Sequence, residues 1–229
     1  MSNDIIWVAS FDIGKKNFAF YIEEIDITEI LNLPKIDKKK RYNLNGTITD
    51  EFKENLNKIY LNGKNILFEN LDITKNCQKN SYLELEMFYN MTEMLDLYED
   101  FWKQCDIFLV EQQMSFGKNR NTMALKLGQH CQSYFSIKYG RNVDIIEFPA
   151  YNKTNILGAE KIYTGKGKNK YKTIDKPARK KWSIEKAKDI FTLRNDLESL
   201  EIILSSRKKD DLADVLCQLQ AFKVINWYK

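Results

Sequence analysis

The stretch IIWVASFDIGKKNFAFYIEE, residues 5–24, decides the fold that this chain can adopt. Residues 5–11 form a nearly all-apolar run, which is typical of a strand buried on both faces. A short polar turn containing Gly14 follows, and residues 18–22 are again aromatic and β-branched, so the stretch predicts a hairpin. Asp12 ends the first strand. A carboxylate there is costly unless it is paired or binds a cation, although it could also only cap the turn.

A second acid occupies the same kind of position later in the chain. Residues 106–110 form another short apolar run, which predicts a strand, and Glu111 follows it directly. In open sheets with parallel strands, functional groups collect at the carboxyl ends of the strands. Glu111 could instead supply negative charge to a helix N-terminus. Two acids in equivalent positions favour a shared site.

The last predicted element is a helix that begins with further acids. The segment KKDDLAD, residues 208–214, runs into an apolar helical stretch that reaches residue 222. Asp211 and Asp214 are three residues apart, so they share one side of the helix. Asp210 could replace Asp211 in this register, and the sequence leaves that choice open. A helix N-terminus favours one acid, which does not account for three within five residues.

These acids can converge on one cleft and form a metal site. Converging carboxylates repel one another unless cations neutralise them, and oxygen-only ligands select Mg²⁺ or Mn²⁺. Two such ions can hold the attacking and leaving oxygens of a phosphodiester displacement. The sequence therefore predicts a two-metal site, whose proposed ligands are Asp12, Glu111, Asp211 and Asp214.

The remaining pattern predicts strands at residues 65–71 and 143–148. Helices are predicted at residues 81–105, 119–139, 180–193 and 196–204, the first of them capped by Ser81 together with Glu84. Residues 25–65 read as an extended excursion of short strands or loops. His130, the single histidine, lies in the second helix and is expected to be structural rather than catalytic.

Charge is concentrated in one part of the chain. The 229 residues carry a net charge of +4, but residues 153–181 contain ten basic and two acidic residues, a local charge of +8. A mobile basic loop there predicts contact with a polyanion such as a phosphate backbone, the alternative being a solvated loop without a partner.

The four cysteines form no CxxC pair, which argues against a zinc site. The sequence lacks both an apolar run of the ~20 residues that a membrane span needs and a targeting segment, so we expect an intracellular protein without a membrane partner.

The order of the elements and acids resembles the ribonuclease H-like fold in its RuvC-like branch, the Holliday junction resolvases. The segments FDIGKKN (11–17), VEQQ (110–113) and KKDDLAD (208–214) resemble the poxvirus and mitochondrial members most closely. Pro149 followed by Lys153 resembles the family's P-x-x-x-K stretch, and Lys180 begins a similar basic helix. The resemblance covers nearly the whole chain except residues 25–65 and a loop around 159–177.

This resemblance implies one α/β domain over residues 1–229, with a central five-stranded mixed sheet flanked by helices. It implies a homodimer that resolves four-way junctions by paired symmetric nicks, using two Mg²⁺ ions per site, for which Mn²⁺ can substitute. Asp12 would bridge both ions, Glu111 would bind one and help to orient water, and Asp211 and Asp214 would complete the site. The bacterial members have a histidine in the third motif where Lys208 and Lys209 stand here, so the general base is left unassigned.

The resemblance also sets expectations for partners and location. The expected DNA contacts are Lys15, Lys16, Lys153, Lys166, Lys168, Lys170, Lys172, Arg179, Lys180 and Lys181. The helix at residues 119–139 has more apolar surface than one sheet can cover and is the expected dimer interface, through Met123, Leu127, Phe135 and Tyr139. The missing transit peptide and the Asn-, Lys- and Ile-rich composition favour a viral protein, acting in recombination or concatemer processing at a replication site in the host cytoplasm.

Other functions remain compatible with the same motifs. A ribonuclease H-like nuclease acting on flaps or RNA–DNA hybrids would share the carboxylates. A non-catalytic junction-binding protein of this fold would be expected to have lost at least one acid, and all are present. Sugar kinases and actin-like ATPases also begin with a strand and D-x-G, but they need two such domains, for which the chain is too short.

Overall fold

A five-stranded mixed sheet forms the centre of the computed structural model, which describes residues 4–78, 82–113, 120–165 and 170–229. The strand order is β3-β2-β1-β4-β5; β1 pairs antiparallel with β2, and β2 with β3, whereas β1, β4 and β5 are parallel. The strands are β1 (Ile5–Asp12), β2 (Phe18–Asp26), β3 (Lys64–Leu71), β4 (Cys105–Gln112) and β5 (Asp144–Pro149). The predicted α/β class with a five-stranded mixed sheet is confirmed.

Helices cover both faces of this sheet. The helices are α1 (Ile27–Leu31), α2 (Asp50–Leu61), α3 (Leu85–Leu97), α4 (Glu99–Trp102), α5 (Thr122–Tyr139), α6 (Tyr151–Ile156), α7 (Lys176–Arg194), α8 (Leu197–Ser205) and α9 (Lys209–Asn226). One core cluster joins the sheet to α2, α7 and α9, and the other joins it to α3 and α5. Because β1 lies between the two cores, Val8 and Phe11 are both fully buried, one on each face. None of the helices in the described part of the chain combines the length and the apolar character needed to cross a membrane.

The prediction of short strands or loops for residues 25–65 is wrong where the structure has α1 and the 12-residue helix α2. Thr49 caps α2, accepting a hydrogen bond from the Phe52 backbone N–H. Phe52, Leu56 and Ile59 are buried at i, i+4 and i+7. The apolar stripe is narrow and lies among Lys and Asn residues, which concealed the helical period.

The helix predicted at residues 81–105 is shorter and divided. It begins at Leu85, and a break at Tyr98 separates α3 from α4. Ser81 lies outside the described residues. Glu84 stands at the N-cap itself and accepts a hydrogen bond from the Gln78 backbone N–H at 2.9 Å, so the predicted capping arrangement is wrong.

The basic segment has more regular structure than a loop. It contains α6, the short antiparallel pair β6 (Ile162–Tyr163) and β7 (Tyr171–Lys172), and the first turns of α7. The helix α7 starts four residues earlier than predicted, because Asp175 accepts a hydrogen bond from the Ala178 backbone N–H at 2.9 Å and Pro177 suits the first turn.

The dimer surface predicted on α5 is wrong in its central residues. Leu127 and Phe135 are fully buried in the core between α5 and the sheet of their own chain. Met123 and Tyr139 are also packed against this core and are only partly exposed. The strongly exposed apolar residue of α5 is Ile137, at 84%. Most of the apolar surface that we assigned to a partner subunit is therefore covered by the core of the same chain.

Candidate active site

Three elements end or begin at the same edge of the sheet and carry the predicted acids. Asp12 is the last residue of β1, and Glu111 is the penultimate residue of β4, the parallel neighbour of β1. Phe11 pairs with Val110, so the two acids follow one step further along the two strands. The helix α9 packs across this face, and its first turns carry Asp211 and Asp214. The parallel arrangement therefore brings residues that are about 200 positions apart in the sequence to one place.

Asp12, Glu111 and Asp214 form a close group of carboxylates. One oxygen from each of them lies within 4.8 Å of the others. Asp211, three residues before Asp214, is outside this group but close enough to Asp12 to act on its charge. Asp210 is ion-paired with Lys180 on α7, so its carboxylate is already occupied.

The electrostatics of the site reflect crowded negative charge. Burial and the neighbouring charge of Glu111 hold the pKa of the Asp12 carboxyl well above its usual range, although Lys153 acts in the opposite direction. Burial and the charge of Asp210 raise the pKa of Asp211 to about 6. Burial alone would also raise the pKa of Asp210, but the Lys180 ammonium outweighs it and lowers the pKa. Ionising Asp12 is therefore costly, mainly because the carboxyl is buried and also because acids surround it.

Lys153 on α6 supplies part of that compensation. The residue is 5% exposed, and its Nζ lies 2.5 Å from Glu111 Oε2 and 3.3 Å from Asp214 Oδ2. Although burial would lower the pKa of this ammonium, Asp214 and Glu111 outweigh burial and raise the pKa. We expected Lys153 to contact DNA. In this structure its ammonium faces the carboxylates, an arrangement that sequence could not indicate beyond the P-x-x-x-K resemblance.

Two of the other predicted cations, Arg179 and Lys180, line a cavity next to the acids. A cavity of about 150 Å³ beside Glu111 and Asp214 is lined by three cations from the start of α7, namely Lys176, Arg179 and Lys180. Lys15 and Lys16 lie in the turn after β1, and the Lys15 Nζ reaches the Tyr82 carbonyl at 3.5 Å. The exposed members further along the basic segment are Lys170, Lys172 and Lys181. Lys166 and Lys168 lie outside the described residues.

His130 packs between helices away from the carboxylate group. Its Nε2 lies 2.9 Å from Thr92 Oγ1, and its ring meets the Phe88 ring edge to face at 5.1 Å between centroids. Burial lowers the pKa of the imidazole. These contacts join α5 to α3 and agree with a structural role.

Comparison with known proteins relates the chain to viral relatives. No protein-family model matches it. It is 34% identical over 232 residues to uncharacterized protein 170L of Invertebrate iridescent virus 6, covering 95% of this chain and 89% of that protein. It is also 34% identical over 223 residues to uncharacterized protein 97L of Invertebrate iridescent virus 3, covering 94% and 98%. The chain belongs to this family of iridescent virus proteins.

Solved structures of resolvases share the fold of this family member. The fowlpox virus resolvase, solved with its substrate Holliday junction DNA, has a TM-score of 0.51 at 18% identity, covering 95% of this chain and 97% of that one. The yeast mitochondrial Holliday junction resolvase Ydc2 has a TM-score of 0.50 at 12% identity, covering 94% and 78%. Thermus thermophilus RuvC also has a TM-score of 0.50, at 8% identity, covering 97% and 98%. The chain therefore shares the fold of these RuvC-like resolvases, as the sequence motifs predicted.

Proposed function

We propose that this protein is a divalent-metal-dependent endonuclease that resolves four-way DNA junctions by paired nicks. The observation that carries the proposal is the convergence of Asp12, Glu111 and Asp214 within 4.8 Å at one edge of a RuvC-like sheet. Burying several carboxylates together at the carboxyl ends of parallel strands destabilises the fold. Packing alone does not explain why the chain has acids there. We take residues 1–229 to act as one nuclease domain.

The donor set fits Mg²⁺ or Mn²⁺. All three side chains offer hard oxygen ligands, which suit these ions better than zinc or copper. Burial and the neighbouring acids raise the pKa of Asp12 although Lys153 acts against them, which supports a divalent cation as the further partner of this carboxylate. Asp12, Glu111 and Asp214 would hold the first ion, and Asp211 is the proposed further ligand for a second. Bound there, such ions stabilise the charge that develops on a phosphodiester under attack by water.

The chain's own cations are suited to hold the DNA strand at this site. Lys176, Arg179 and Lys180 line the cavity next to Glu111 and Asp214, where they can bind the phosphates that flank a scissile bond. Lys180 already pairs with Asp210, which fixes the start of α7 against the start of α9. Lys153 holds the carboxylates of Glu111 and Asp214 together. We also propose the phosphate contacts expected from the sequence at Lys15, Lys16, Lys166, Lys168, Lys170, Lys172 and Lys181.

We further propose that the protein acts as a homodimer in viral DNA recombination or concatemer processing, at a replication site in the host cytoplasm. The viral origin of proteins 170L and 97L supports a viral role. A four-way junction has approximate two-fold symmetry, and two identical sites at a fixed spacing would match it. A nuclease for flaps or RNA–DNA hybrids is the second candidate, because it would need the same acids.

A substrate panel separates these candidates. Purified protein with Mg²⁺ is given equal amounts of a fixed four-way junction, a 5′ flap, an RNA–DNA hybrid and a plain duplex of matched length. We expect cleavage of the junction to dominate and to require the divalent ion. Preferential cleavage of the hybrid or the flap would contradict the proposal in favour of the alternative nuclease.

A further inference from the structure

Gln218 on α9 is a buried amide that bridges one helix and two strands. It is 1% exposed, and its Nε2 lies 3.1 Å from Ser10 Oγ on β1 and 3.1 Å from the Leu109 carbonyl oxygen on β4. A longer contact of 3.4 Å reaches the Phe11 carbonyl oxygen. A single side chain thus joins α9 to the two central parallel strands.

The surroundings decide which way this amide points. The Leu109 and Phe11 carbonyls can only accept hydrogen bonds, so the NH₂ group of Gln218 must face them. The reversed amide would place its oxygen against two carbonyl oxygens and leave a buried donor unmet. The contact therefore requires a side chain with two donors at this position.

The two short contacts lie two residues before each of the acids that the strands carry. Ser10 stands two residues before Asp12, and Leu109 two residues before Glu111, so each shares a sheet face with its acid. Ser10 and Leu109 are also paired across the two strands. Gln218 is one helical turn after Asp214 and lies on the same side of α9.

We propose that Gln218 is a positioning residue for the metal centre. By tying α9 to both strands, it sets how far Asp214 lies from Asp12 and Glu111. Those carboxylates repel one another, so a helix held less tightly would shift away from the strands and spread the ligand set. Gln218 itself contacts neither metal nor substrate, and its role rests on the proposed function of the acids.

The same helix provides a matched control. Gln220 is also fully buried, and its Nε2 donates to Glu23 Oε2 at 2.7 Å. That carboxylate belongs to a separate buried network with Lys223 and Arg194. Gln218→Met and Gln220→Met each remove one buried amide from α9 while keeping the length of the side chain. Only the first breaks the connection to the strands that carry Asp12 and Glu111.

The test measures Mn²⁺ binding to the folded proteins by calorimetry, with thermal stability followed in parallel. Gln218→Met should weaken Mn²⁺ affinity by on the order of 10- to 100-fold, the usual range for residues that orient metal ligands. Gln220→Met should keep wild-type affinity even though it also lowers stability. Ser10→Ala removes one of the two short contacts and leaves Gln218 in place, so it should lose less Mn²⁺ affinity than Gln218→Met. It replaces Gln218→Met in the test if that variant does not fold.

The outcomes distinguish a failure of the positioning role of Gln218 from a failure of the proposed metal site. Wild-type Mn²⁺ affinity in Gln218→Met, or in Ser10→Ala where that variant replaces it, would overturn the positioning role alone. An equal loss in Gln220→Met would also overturn it, since the effect would then follow from general destabilisation. A wild-type protein that binds no Mn²⁺ would overturn the proposed metal site together with this role.

Discussion

Asp12 imposes a cost on folding that the proposed function explains. Its folded-state pKa lies well above its unfolded value, so the folded state holds the proton more tightly. Above the folded pKa the ionised carboxylate destabilises the fold, and this penalty disappears as the pH falls towards the unfolded value of about 3.9. This cost supports the proposal that the site uses the charge of Asp12.

This cost gives the first prediction. In EDTA at pH 7, Asp12→Asn should melt at a higher temperature than the wild type, because the amide removes the uncompensated charge. The difference should shrink as the pH is lowered towards 4, where the wild-type carboxyl is protonated. Thermal melts at both pH values check this, and a variant less stable than the wild type at pH 7 would show that Asp12 is adequately paired.

The same substitution should have the opposite effect on activity. Asp12→Asn should reduce junction cleavage by on the order of a thousandfold or more, equivalent to about 4 kcal/mol of barrier, while junction binding persists. Glu111→Gln and Asp214→Asn should behave alike, since each loses a ligand charge. Single-turnover cleavage and a gel-shift assay measure the two effects. Near wild-type cleavage in Asp12→Asn would place the metal site elsewhere.

His130→Ala provides the control for this series. The imidazole contacts Thr92 and Phe88 rather than the acids, so we expect most of the activity to remain and only stability to fall. The same cleavage assay checks this. A large loss of cleavage at unchanged folding would assign the histidine a role in proton transfer.

At the residue scale, the acids were easier to predict from the sequence than the lysines that pair with them. Asp12 and Glu111 stand out because a charge directly follows an apolar strand, which is visible without any structure. The preference for Asp211 over Asp210 stays a proposal, and it rests on the ion pair of Asp210 with Lys180 on another helix. The contacts of Lys153 could be found only from the structure, because the path of the chain from β5 into α6 brings its amine to Glu111 and Asp214. Such contacts depend on tertiary packing and leave little trace in a local pattern.

At the scale of elements, the pair β6–β7 and the start of α7 form the proposed DNA-binding region. Lys170→Ala combined with Lys172→Ala should weaken binding to branched and duplex DNA alike, because phosphate contacts are independent of sequence. The slope of log K against log salt should shrink by up to about two units, one for each lost contact. Binding measured at several salt concentrations tests this.

The matched control removes lysines from a different surface. Lys53 and Lys58 are exposed on α2, outside the basic segment, and the double alanine variant should keep the wild-type salt slope. An unchanged slope in the Lys170 and Lys172 variant would mean that the pair β6–β7 is solvated and makes no phosphate contact.

The sheet was easier to predict than the surrounding helices. Buried strands read as apolar runs, and the strands β1, β2, β3, β4 and β5 were each located within a few residues. The helix α2 was missed because its apolar stripe is narrow, and α6 because six residues after a proline give little periodicity. The apolar residues of α5 were assigned to a partner, although the buried core of the same chain accommodates Leu127 and Phe135.

At the scale of the whole molecule, the proposed dimer needs a surface other than Leu127 and Phe135. Ile137 on α5 is 84% exposed and Leu97 at the end of α3 is 80% exposed. In the sequence they are next to Lys138 and Asp96, whose ion pair holds these two helix ends together. We therefore propose this patch as part of the dimer interface.

The patch gives a prediction about assembly. The wild type should have the mass of a dimer at micromolar concentration, and Ile137→Glu should shift it towards the monomer without unfolding it. Leu127→Glu should instead unfold the chain, because it places a charge in the core. Light scattering and circular dichroism distinguish the two results. A wild-type monomer at concentrations where junctions are fully resolved would contradict the dimer.

The most direct test of the central claim uses a supercoiled plasmid that extrudes a cruciform, incubated with the protein and Mg²⁺. Two coordinated nicks across the junction linearise the plasmid, whereas a single nick relaxes it, and the cruciform is reabsorbed before a second cut. We predict linear product that requires Mg²⁺ and is absent with Asp12→Asn. Nicked circles alone, or linear product undiminished in Asp12→Asn, would contradict paired resolution at this metal site.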